Sequence, residues 1–166
     1  QQFGETQLHK LFEQYGEVTN SKTLARTLVE ARRTAPLQTI DAFKAAVQSI
    51  VKGNPAKYLA QVFQALRIEV NDEMGALKEL LQQLPQVIKV GGRVTIITFH
   101  SIEDRLVKVF FRRGTFEEDV ENPFEIKRFE NPFVLINKKP IEASAEEAKR
   151  NSRSRSARLR VAEKVK

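Results

Sequence analysis

The sequence has no cysteine, a single methionine and only two histidines, His9 and His100. Without thiols there is no disulfide framework and no thiolate metal site, and two isolated histidines do not assemble a metal centre. No apolar run approaches the roughly 20 residues that a membrane-spanning helix needs. The opening QQFGETQLHK has neither the basic start nor the apolar stretch of a signal peptide. A cytoplasmic protein with no membrane contact and no metal is therefore expected. The chain also lacks a G-x-G-x-x-G or Walker loop, a G-x-S-x-G elbow and a paired-carboxylate site.

What is present is a globular composition, 41% hydrophobic and 30% charged over 166 residues, enough for one medium domain or two small ones. The net charge of +7 is placed unevenly: the last 18 residues carry eight basic groups against Glu163 alone, and everything before them is neutral. Such an asymmetry points to an anionic partner near the C-terminus, RNA first among them, or to an edge strand protected by arginines.

The first 90 residues read as helices. Leu8, Leu11, Phe12 and Tyr15 form a stripe that Gly16 ends; Leu24, Leu28 and Ala31 form a second, closed by Pro36. Thr39 caps a third helix that points Phe43, Val47, Ile50 and Val51 inward, with Gly53 as its left-handed end. These three helices make one bundle. A fourth begins with Asn54 as cap and Pro55 at the first helical position, and its stripe of Leu59, Val62, Phe63, Leu66 and Val70 predicts a deeply buried helix. Met74, Leu77, Leu80, Leu81 and Leu84 continue to Pro85 as a fifth.

The pattern then changes period. After a turn at Gly91 and Gly92, the β-branched run through Phe99 predicts a parallel strand covered on both faces, leading straight into a helix that Ser101 caps with Asp104 three residues on. Residues 114 to 130 read as a long loop, and Phe133 to Asn137 as a short strand. Ser144 with Glu147 caps a brief helix, and the chain closes on a strand with Ala157, Leu159 and Val161 inward and Arg158 and Arg160 on a basic outer face. Three such strands make a poor sheet by themselves, so the sequence reads as the second half of something.

His100 and Ser101 fall where a strand ends and a helix begins, the crevice that ligands occupy in open α/β sheets. The imidazole there could act as base, donor or orienting group. Arg153, Arg155, Arg158 and Arg160, spaced to project from one side of an extended chain, could follow phosphates. The repeated tripeptide Asn122-Pro123-Phe124 and Asn131-Pro132-Phe133 resembles the amine-holding loop of amino-group methyltransferases with one proline missing, but both copies lie at loop-to-strand transitions where Asn-Pro is ordinary turn chemistry, and that is the reading taken.

Three stretches together closely resemble the MraW/RsmH methyltransferases: Phe63 to Asn71, Gly91 to Arg105 and Ser154 to Arg160. The resemblance implies an α/β fold, the C-terminal half of a Rossmann-like methyltransferase sheet (55–166) with an inserted helical domain (1–54). It implies methyl transfer from S-adenosylmethionine to the N4 amine of a cytidine in small-subunit (16S) ribosomal RNA. The amine would attack the methyl carbon in line, with His100 and Ser101 at the transfer site, Arg67 and Asn71 orienting substrate from the long helix, and the four arginines on RNA. No segment matches the family's cofactor loop, so the isolated chain is expected to be inactive. A non-enzymatic RNA-binding module and a half-sheet that self-associates through an open edge are the alternatives.

Overall fold

The computed structural model describes residues 2–116 and 130–166. It forms two compact units, one ending at Glu73 and the other starting at Met74. No helix among the described residues is long and apolar enough to cross a membrane.

The first unit holds α1 (Glu5–Gln14), α2 (Ser21–Thr34), α3 (Ile40–Val47) with a 3-10 turn at Gln48–Ile50, and α4 (Pro55–Asn71). The helices start where side chains satisfy their leading N–H groups: Thr39 Oγ1 and Asn54 Oδ1 each accept a backbone N–H at 3.1 Å. Leu8, Leu11 and Phe12 of α1, Leu24 and Leu28 of α2, Val47 of α3 and Tyr58, Val62 and Ala65 of α4 share one core. α4 gives its apolar stripe to this core and lies within the first unit. Val70, expected to extend the stripe, is 82% exposed. Five residues past Ala65 the helix has turned about 140° away from the buried side.

The second unit comprises α5 (Glu73–Val87) from its second residue on, β1 (Arg93–Thr98), α6 (Ser101–Arg113), β2 (Phe133–Leu135), β3 (Ile141–Glu142), α7 (Ala145–Arg150), a 3-10 turn (Ser152–Ser156) and β4 (Arg158–Lys164). β4 is the centre of the sheet: β1, β2 and β3 all pair with it, each antiparallel. This corrects the parallel strand expected at β1. The strand alternates, with Val94 and Ile96 against the helical core of Leu81, Leu84, Val107, Phe110 and Phe111, while Arg93, Thr95 and Ile97 face the other way. A β-branched run shows that a strand forms but not how many of its faces are covered.

β4 is also turned over relative to expectation. Arg160 and Ala162 are buried at 3% and 0% exposure, and Leu159 and Val161 lie on the more open side. Alternation fixes which residues share a face, and a carboxylate on α6 selects the face that holds Arg160. β2 is shorter than expected, because Asn137 leaves the ladder to bind β4 with its side chain. Its amide donates to the carbonyls of Leu159 (3.0 Å) and Lys139 (2.8 Å) and accepts the Val161 N–H (2.7 Å). Residues 117–129, and with them most of the expected loop and the tripeptide Asn122-Pro123-Phe124, lie outside the described residues.

Candidate nucleic-acid interface at the end of strand β1

β1 leaves the sheet at Thr98, whose hydroxyl bonds the Arg158 carbonyl at 3.3 Å, and α6 begins three residues later. The residue that caps α6 is His100, not Ser101. His100 takes the extended conformation, and its Nδ1 accepts the Glu103 N–H at 3.3 Å. Glu103 answers by accepting the N–H groups of Phe99 (2.8 Å) and His100 (3.3 Å), a reciprocal box. Ser101 is the first helical residue. Because Nδ1 is an acceptor, the neutral ring carries its proton on Nε2. Nε2 is buried and makes no hydrogen bond among the described residues, although Glu103 Oε1 lies 3.3 Å away.

Burial works to raise the Glu103 carboxyl, but the His100 side chain beside it and the backbone N–H groups of Phe99 and His100 outweigh it and hold it below the usual range. The next residue, Asp104, was expected as a cap partner and does other work. Its carboxylate takes Arg160 Nε at 2.6 Å and Nη2 at 2.9 Å in a buried two-pronged pair, and Arg158 Nη1 stands 3.6 Å off. Burial again pushes this carboxyl up and is outweighed, first by the hydrogen bonds and charge of Arg160 and then by Arg158 and Lys108, so it too is lowered.

Beside this lies a cleft of about 290 Å³ whose lining includes His100, Ser101, Glu142, Arg155, Ser156 and Arg158. The arginine stripe does not survive as expected. Arg153 and Arg155 sit exposed on the 3-10 turn after Asn151, Arg158 borders the cleft, and Arg160 is buried against Asp104. A partner would thus meet at most three of the four. Sequence reasoning missed Asp104 as the anchor of Arg160, and it missed Glu142, which β3 sets directly opposite Arg158. Only the acid in the first turn after a strand hinted at the former. Glu142 lies in a two-residue strand with no pattern to find.

Arg67 and Asn71 occupy the end of α4, in the first unit. Arg67 bonds both oxygens of Glu73 (2.7 and 3.1 Å), and Asn71 bonds one of them at 3.2 Å. The second tripeptide is a structural turn: Asn131 donates to the Phe111 carbonyl at 3.0 Å and accepts the Phe133 N–H at 2.9 Å.

The model of the MraW methylase family matches residues 1–165. The chain belongs to this family. Similar curated proteins named ribosomal RNA small subunit methyltransferase H include that of Azobacteroides pseudotrichonymphae, 51% identical over 164 residues, with 98% of this chain and 54% of the relative covered. Another, from Parabacteroides distasonis, is 50% identical over 95% of this chain and 52% of its own length, and one from Cytophaga hutchinsonii is 47% identical over 98% and 54%. The chain thus spans about half the length of the relatives it matches. MraW methylases are methyltransferases, and the mixed helix-and-sheet architecture is consistent with that membership.

Proposed function

We propose that the chain is part of a methyltransferase acting on the N4 amine of a cytidine in small-subunit ribosomal RNA with S-adenosylmethionine as donor, and that it supplies the RNA-facing side of the site. The observation that carries this is the cleft at the end of β1, where a buried imidazole, Ser101 and two arginines meet. The names of the relatives supply the ribosomal substrate, and that substrate makes the cytoplasm its place of work. Residues 1–54 would be a helical insertion and 55–166 the C-terminal part of a Rossmann-like domain.

The cleft does not fit the cofactor. S-adenosylmethionine carries a positive sulfonium, which Arg155 and Arg158 would repel, and the one carboxylate that lines the cleft among the described residues, Glu142, faces Arg158. The same charges suit a nucleotide phosphate, with the base toward His100. With Nδ1 spent on the helix cap and Nε2 buried beside Glu103, the imidazole forms a fixed wall of the cleft, which favours holding the base over taking its proton.

His100→Asn separates these roles, since asparagine caps helices well but has no ring. In the full-length protein it should slow methylation at least tenfold with cofactor affinity unchanged and stability near that of the parent, whereas His100→Ala should also lose about 1 kcal/mol of stability. An unaffected methylation rate in His100→Asn would remove His100 from the site. The 166-residue chain alone should bind RNA in a salt-dependent way without transferring methyl groups. Calorimetry with S-adenosylmethionine checks this, and cofactor binding by that chain would contradict the division proposed.

A further inference from the structure

The arginines at the cleft differ in how their charge is committed. Arg160 spends two N–H groups on Asp104 at 2.6 and 2.9 Å. Arg158, next but one on the same strand face, has two carboxylates close but none bonded: Asp104 at 3.6 Å and Glu142 at 3.7 Å. Both distances exceed hydrogen-bond range, so its planar fork of donors is attracted from two sides and satisfied by neither. Arg155, which also lines the cleft, makes no ion pair or hydrogen bond with its side chain among the described residues.

The two carboxylates are not equivalent. Asp104 is 9% exposed and locked by Arg160, whereas Glu142 is 62% exposed on the two-residue strand β3 and has no ion-pair partner but Arg158 among the described residues. An incoming phosphodiester could not displace Asp104. It could displace Glu142, whose ion pair is of the weak, solvated kind and worth little to the fold.

We propose that Glu142 is a displaceable counter-ion: it occupies the Arg158 side of a phosphodiester-binding cleft in the RNA-free protein and swings out when a nucleotide phosphate is held between Arg158 and Arg155. The inference rests on the ribosomal-RNA reading above and adds to it a guard. With Glu142 in place the cleft offers Arg158 half-neutralised, so weakly charged or monovalent anions do not compete. A polyanion that can also engage Arg155 and Ser156 does. Asp104, locked by Arg160, stays in place throughout.

The test is a two-by-two comparison in the full-length protein, with Glu142→Gln, Arg158→Gln and the double variant binding a short single-stranded oligoribonucleotide across a potassium chloride series. Arg158→Gln should weaken binding and flatten the slope of log affinity against log salt by about one. Arg158→Lys should restore the slope, which a merely structural role of Arg158 would not do. Glu142→Gln should tighten binding about threefold, and that gain should vanish in the double variant because its cause is Arg158. Inorganic phosphate as competitor should be ineffective against the parent and gain strength against Glu142→Gln. An unchanged slope in Arg158→Gln, or a Glu142→Gln gain that persists without Arg158, overturns the proposal. Methyl transfer to small-subunit RNA by the parent protein is measured beside it. Its absence with the coupling intact defeats only the enzymatic reading, and its presence without the coupling defeats only this one.

Discussion

Burying the Arg160 guanidinium in β4 demands a carboxylate at matched geometry, and Asp104 meets it with two bonds. A buried charge left alone costs far more than the pair contributes, so Asp104→Asn should lose about 3–5 kcal/mol in urea denaturation. Asp104→Leu with Arg160→Met removes both charges and should lose less than the single change. The pH dependence has a definite sign. The Asp104 carboxyl lies below its ordinary value of 3.8 in the folded state, so its contribution is complete above that value and is lost as pH falls through the lower folded one. Stability of the parent should therefore drop more steeply than that of Asp104→Asn in this acid range. None of this was legible in the sequence, where Asp104 looked like half of a helix cap and Arg160 like a phosphate contact. The tail of eight basic groups was visible. That Arg160 is held by Asp104, and that the Lys164 ammonium donates to the Pro85 carbonyl at 2.6 Å, required partners 56 and 79 residues away.

Elements whose ends are decided locally were readable. Thr39, Asn54 and Ser144 cap their helices as their spacing implied, since a cap needs only a side-chain oxygen and an N–H three residues on. Helix α6 closes at Gly114 with φ of +75°, and there the glycine is required twice over. A Cβ would meet Asn131 Oδ1 at 2.8 Å and Pro132 Cδ at 2.9 Å in addition to the left-handed backbone. Asn131 is the residue that ties the Phe111 carbonyl to the Phe133 N–H, so the clash cannot relax without loosening β2. Gly114→Ala should lose about 2 kcal/mol or more, from roughly 1 for the backbone and the rest for crowding. Amide exchange at Phe133 should quicken beyond the global change. Strand pairing was the unreadable part, because alternation names the residues of a face without saying which face is inward, and β3 is too short to alternate at all.

At the scale of the whole second unit, helices cover one side of the sheet and the residues on the other form a connected apolar surface. Register puts Ile97 beside Leu159 and Leu159 beside Ile141, while Ile136 bonds Val161 through its N–H. Ile97, Phe99, Val134, Ile136 and Ile141 are each between 47% and 56% exposed there. Among the described residues, β1 pairs on one edge only. An open edge beside an apolar face is a template for association, and a lysine at such a place blunts it. The 166-residue chain alone should therefore associate as its concentration rises in sedimentation velocity, and Ile97→Lys with Ile141→Lys should return it to monomer. The chain spans about half the length of its relatives, which have further polypeptide with which to cover such a face. In a protein of the relatives' length, the change equivalent to Ile97→Lys should lower stability instead of suppressing association. A chain that stays monomeric at every concentration would mean that five half-exposed apolar side chains and an open edge are too little to drive pairing.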